Sequence, residues 1–151
     1  MNHVIFILVP LMCFLGCDEE ATFQPAPIES SAVPADQIPF FDLMPGVEGG
    51  PKQAFVFGDP DDTANGYFLR FSKDFPTPPH SHSFGYRGIV LEGVMRNGPD
   101  IESALDMPAG SFWTQAADEV HITACVSDAP CLEFVSFSGP FDFLPEHTDQ
   151  P

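Results

Sequence analysis

Seventeen prolines and 12 glycines in 151 residues interrupt this chain too often for long helices. Short strands joined by turns are what such a sequence can form, and its length suits one domain. The apolar fraction is 44%, with 16 Phe, so a core can be built despite a formal charge of −17. A disordered acidic polymer is thereby excluded. Against 22 acidic side chains stand only Lys52, Arg70, Lys73, Arg87 and Arg96. No basic face can be assembled from these five, which excludes a phosphate-backbone binder and a polybasic membrane mechanism.

Aromatic and apolar runs predict strands over Gln53–Phe57, Tyr67–Phe71, Gly88–Met95, Ser111–Gln115, Val120–Cys125 and Leu132–Phe137. Turn signals at Asn97-Gly98-Pro99, Pro108-Ala109-Gly110 and Asp128-Ala129-Pro130 separate the later ones. Many short strands at this spacing indicate a sandwich or barrel. Asp59, Asp61, Thr63 and Asn65 alternate in the first loop, as in a calcium site. However, Ala64 replaces the Gly of such loops and no Glu closes it, so a polar hairpin turn is expected.

At the N-terminus, Val4–Leu15 is an apolar run too short for a membrane span but suited to a secretory signal. It ends in Phe14-Leu15-Gly16-Cys17 ahead of Asp18-Glu19-Glu20. This junction resembles the lipobox of bacterial lipoproteins, which implies lipidation of Cys17; a plain secreted protein is the alternative. The expected organisation is a signal peptide over 1–16 and a lipidated, extended tether over 17–39. A domain over 40–144 and a disordered tail over 145–151 follow. Cys125 and Cys131 flank a polar stretch with turn chemistry between two apolar runs. Opposed positions of a hairpin would let them form a disulfide in an oxidising compartment, against the alternative of two free thiols.

His80 and His82 follow Pro76-Thr77-Pro78-Pro79, which favours extended backbone. Alternate residues of an extended segment share a face, so the two imidazoles are expected on one side. His121 opens the apolar run Ile122-Thr123-Ala124. Pro79-His80-Ser81-His82 through Leu91-Glu92-Gly93 resembles the first cupin motif, and Pro108-Ala109-Gly110 through Val120-His121 the second. The resemblance covers roughly residues 45–143. It includes Tyr86-Arg87-Gly88, His121 to Cys125, and the Gly139-Pro140-Phe141-Asp142-Phe143 ending, as in small single-domain cupins.

That resemblance implies an all-β chain folded as a single cupin-type β-barrel, the double-stranded β-helix or jelly roll. It further implies His80, His82 and His121 as ligands of a divalent transition metal: Zn, Fe, Mn, Ni or Cu. Tyr86 stands where the family's metal-binding Glu belongs. Its phenol is either a ligand, a group that orients or protonates substrate, or a packed side chain. A metal-free vestigial pocket is the alternative to the metal site. Trp113 and Gln115 alternate on one predicted strand and are candidate pocket-lining residues, which turns Phe112 toward the opposite face as core.

Two functions are consistent with these residues. One is an exported metal-dependent enzyme, oxygenase-like, acting on a small organic substrate, with Tyr86 as its catalytic side chain. The other is a non-catalytic ligand-binding or sensing cupin. The partners expected are a small molecule, a membrane through the lipid anchor alone, no nucleic acid, and a second copy of the chain as a homodimer. The expected location is the periplasmic or cell-surface side of a bacterial membrane.

Overall fold

The computed structural model describes residues 30–146. The expected signal peptide, Cys17 and most of the tether lie outside the described residues. Residues 33–146 belong to one compact unit, almost wholly strand and turn. In chain order the strands are β1 Phe41–Asp42, β2 Lys52–Phe57, β3 Asn65–Phe71, β4 His80–Ser81, β5 Tyr86–Glu92 and β6 Val94–Gly98. They continue as β7 Met107–Pro108, β8 Phe112–Gln115, β9 Ile122–Cys125, β10 Cys131–Phe137 and β11 Leu144–Pro145.

Six strands make the main antiparallel sheet, in the order β1-β2-β3-β10-β5-β8; β7-β6-β9 form a second sheet and β11-β4 a short ladder. Period-two alternation is clearest on β10, where Cys131, Glu133, Val135 and Phe137 are buried and the residues between them are half-buried. Tyr67, Leu69 and Phe71 of β3 and Tyr86 and Val90 of β5 point the same way. Met95 of β6 and Cys125 of β9 meet them from the second sheet, so the two sheets enclose one core.

Three expectations need correction. The strand foreseen over Gly88–Met95 breaks at Gly93, where φ is +81°. The chain there leaves one sheet for the other, and a Cβ at 93 would lie 2.6 Å from Cys131 Sγ. Phe112 is not core: it is 76% exposed, opposite the exposed Ile89 on the outer surface of the main sheet. That surface has no second layer among the described residues, so apolar residues of outward parity remain in solvent. Finally, Cys125 and Cys131 do not face each other across a hairpin. Their sulfurs are bonded (S–S 2.11 Å, Cα–Cα 5.7 Å), but β9 pairs with β6 while β10 pairs with β3 and β5. The bridge therefore joins the two sheets.

The Asp-rich loop closes the β2–β3 hairpin. Asp59 accepts hydrogen bonds from the Asp61 and Thr63 amides, and Asn65 is fully buried, donating to Thr63 O and Gly139 O. At the other end, pairing runs through Pro145, opposite His80, and the Glu146 amide donates to Pro79 O. Ordered pairing thus extends past residue 144.

Gly88 lies across from Trp113 in the β5–β8 register. A Cβ at that position would fall inside the indole. Gly88→Ala should therefore displace the single tryptophan and destabilise the domain by about 1–3 kcal/mol, the usual range for overpacking. Tryptophan fluorescence and urea unfolding would read both effects together. Replacing Cys125 and Cys131 by Ser should cost about 2 kcal/mol in the same unfolding measurement, on the chain-entropy estimate for a short loop.

Candidate metal centre

The prolines before β4 hold the chain extended, and the backbone of His80 then pairs with that of His121. Each amide donates to the other's carbonyl, at 3.0 and 2.9 Å. This narrow pair sets the two imidazoles 4.3 Å apart, centroid to centroid. The period-two spacing puts His82 on the same inward face, its ring 5.0 Å from His80 and 5.3 Å from His121. All three are buried (4%, 4% and 1% exposed), and one ring nitrogen of each lies within 4.8 Å of the others. Among the described residues, they form the one cluster of side chains that can hold a metal ion.

The second nitrogen of each ring is already committed. His80 Nδ1 meets Pro78 O at 2.9 Å, His121 Nδ1 meets Glu119 O at 3.0 Å, and His82 Nδ1 meets Asp142 O. A carbonyl can only accept, so Nδ1 must carry the proton in every case. Nε2 is left as a lone-pair donor in all three rings. Carbonyl acceptors on the opposite ring nitrogen are the usual outer shell around metal-ligating imidazoles. The residues present therefore fit a divalent transition ion.

Burial, joined by the neighbouring His121 and His82, pushes the His80 imidazolium down to about 3; burial also lowers His82 and His121. All three are thus neutral at pH 7, the form a metal requires. Tyr86 on β5 donates its hydroxyl to His121 Nε2 at 3.1 Å. A cation on that nitrogen would compete with this bond. Asn97 Oδ1, 3.4 Å from the Tyr86 hydroxyl, is an alternative acceptor. Burial, followed by the nearby Glu133 charge, raises the Tyr86 phenol above its ordinary value.

A cavity of about 30 Å³ adjoins the rings, lined by His80, His82, Tyr86 and Glu133 with Thr77 and Thr123 among its polar residues. Its apolar wall includes the C-terminal segment: Phe143 stacks on His80 at 4.2 Å, and Phe141 packs by His82. Trp113 and Gln115 do face inward from β8, but they line a separate open cleft of about 230 Å³ on the far side of His121. Gln115 there accepts a bond from Asn97 and donates to Glu119.

Sequence reasoning missed Asp142, Phe143 and Glu133. Asp142 was legible only as part of a motif, because its role comes from its backbone carbonyl. Glu133 could have been found, since it shares parity with Cys131, Val135 and Phe137 on a predicted strand.

The histidine shifts give a pH dependence whose sign follows from linkage. Below about 6.5, the unfolded chain takes up imidazole protons that the fold refuses until about 3 for His80. Stability present above 6.5 is therefore lost as pH falls. For His80 alone the loss between pH 7 and 5 is on the order of 2 kcal/mol. Urea unfolding of metal-free protein should show it, and His80→Gln should flatten the slope.

The sequence model of the family described as a domain of unknown function, DUF4437, matches residues 37–150. No curated protein matches the sequence. Among solved structures the chain is similar to the polyketide cyclase RemF from Streptomyces resistomycificus. Identity there is 19% over 81% of this chain and 89% of that one, with a TM-score of 0.64. It is similar also to an RmlC-like cupin from Shewanella frigidimarina, at 17% identity over 80% and 96% of the chains and a TM-score of 0.58. A Methylibium petroleiphilum protein, provisionally assigned as an acetylacetone dioxygenase, aligns at 16% identity over 85% and 89%, with a TM-score of 0.64. These likenesses establish an all-β cupin barrel, and the match over residues 37–150 makes the chain a member of the DUF4437 family.

Proposed function

We propose that this protein is a metal-dependent cupin enzyme acting on a small organic substrate, with oxygenase-like chemistry. The observation that carries the reading is the set of three neutral imidazoles whose Nδ1 protons are all spent on backbone carbonyls. His80, His82 and His121 would hold the ion. A divalent transition metal held by these residues would supply Lewis acidity and, if redox-active, electron-transfer chemistry. Tyr86 is the side chain placed to orient a substrate or deliver a proton, because its hydroxyl already lies against His121. The aromatic wall of Phe137, Phe141 and Phe143 keeps water out and strengthens charge interactions inside. Similarity to a provisionally assigned acetylacetone dioxygenase supports diketones as a first substrate panel.

The cavity size favours a second reading, a binding or sensing module. At about 30 Å³ it holds water-sized guests, so any larger molecule requires the Phe141–Phe143 wall to yield. Reversible thermal stabilisation by a ligand without O₂ uptake would identify that role.

Export as a lipoprotein belongs to the same proposal. The Gly16-Cys17-Asp18 junction after an apolar run supports it, and a bridged Cys125–Cys131 pair suits an oxidising compartment.

Protein purified without a His-tag should carry about one divalent transition ion per chain by elemental analysis. His80→Ala with His121→Ala should abolish it. Tyr86→Phe should keep the ion and slow turnover of an active diketone or carboxylate by about 100-fold or more, read as O₂ consumption. Absence of metal from the unsubstituted chain would end the proposal.

A further inference from the structure

Glu133 is the only buried carboxyl among the described residues, 2% exposed, and its Oε2 has no hydrogen-bond partner. Its neighbours across the sheet are Leu69 on β3 and Val90 on β5, both buried and apolar. No Lys or Arg lines the cavity it faces. The titratable groups there, from every wall, are His80, His82 and Tyr86. An unpartnered acid in such a place costs stability that a Leu would not. Strand parity leaves it no outward escape, since Cys131 and Val135 on either side of it point inward with it. Yet it is not one of the groups within ligand distance of one another, so it does not belong to the nitrogen cluster itself.

We propose that Glu133 is the charge partner of the histidine site: occupation by a divalent cation expels the Glu133 proton, and the carboxylate left behind balances the ion across the shared cavity. This rests on the metal-site reading above. The balance is simple. The carboxyl O–H bond breaks, its electron pair stays on oxygen, and the proton passes to the buffer. Three neutral imidazoles bring no negative charge, so without such a partner a doubly charged ion would sit uncompensated in an apolar interior. Burial alone holds the Glu133 carboxyl up at about 8 before the cation arrives, so at pH 7 it has a proton to lose. The histidines have none, being neutral already.

The test is calorimetric titration with Ni(II), whose coordinated water keeps its protons at pH 7. Chelator-stripped chain without a His-tag is titrated in two buffers of different ionisation enthalpy. The unsubstituted protein should release about one proton per ion. Glu133→Gln should release close to none and bind about 10- to 100-fold more weakly, the range typical of outer-shell partners. Tyr86→Phe should leave the proton count unchanged. Without metal, Glu133→Gln should melt no lower than the parent. Its advantage should grow as pH rises from about 4.5 toward 8, where the unfolded chain ionises the acid and the fold does not.

Equal affinity and equal proton release in the parent and Glu133→Gln would overturn the assignment while leaving the metal site standing. So would loss of the proton in Tyr86→Phe alone, or a metal-free Glu133→Gln protein that melts lower at every pH. Failure of the parent to bind Ni(II) at all would remove the site and the inference together.

Discussion

Two backbone hydrogen bonds between His80 and His121 determine everything the site can do. They join residues 41 positions apart, at a place where neither long sheet runs, and they are the shortest possible ladder. Because pairing is reciprocal, both side chains must project to one side at close range. His82 needs no pairing of its own, since the period of extended chain brings it along. The Thr77 amide donates to Thr123 O and the Thr123 amide to Thr77 Oγ1, so the same alignment continues on the far side of His80.

Neutrality is the second constraint. Three basic groups within one small volume repel when protonated, and burial makes each proton costlier still. Carbonyl acceptors at Pro78, Glu119 and Asp142 settle the tautomer as well, so the three Nε2 lone pairs remain available. Each tether comes from a turn or loop, where a carbonyl is not engaged in a ladder. The loops that look like connectors thus decide the chemistry of the strands they join.

Much of this was legible in the residues. Alternation on β3, β5 and β10 marks the core, and the His-x-His spacing alone places two rings on one face. Other features were hidden for physical reasons. Carbonyl tethers leave no mark on residue identity, since every residue has one. The break at Gly93 and the crossing of Cys125–Cys131 between sheets depend on which strand pairs with which, and local composition is silent on that. Phe112 misleads because a barrel wall is one layer thick: hydrophobicity implied burial, whereas its parity turned it outward. The isolation of Glu133 is likewise a matter of register, set by Leu69 and Val90 across the sheet.

The sulfur bridge acquires a different meaning from its neighbours in sequence. Cys125 ends the strand that begins beside His121, and Cys131 stands two residues before Glu133. One covalent clasp therefore fastens both the imidazole side and the carboxyl side of the cavity to a common anchor. In reducing surroundings that clasp would open, and the tolerance with which the acid and the three rings are held apart would widen at once. The oxidation state of the compartment would then set how faithfully this small barrel holds its interior together.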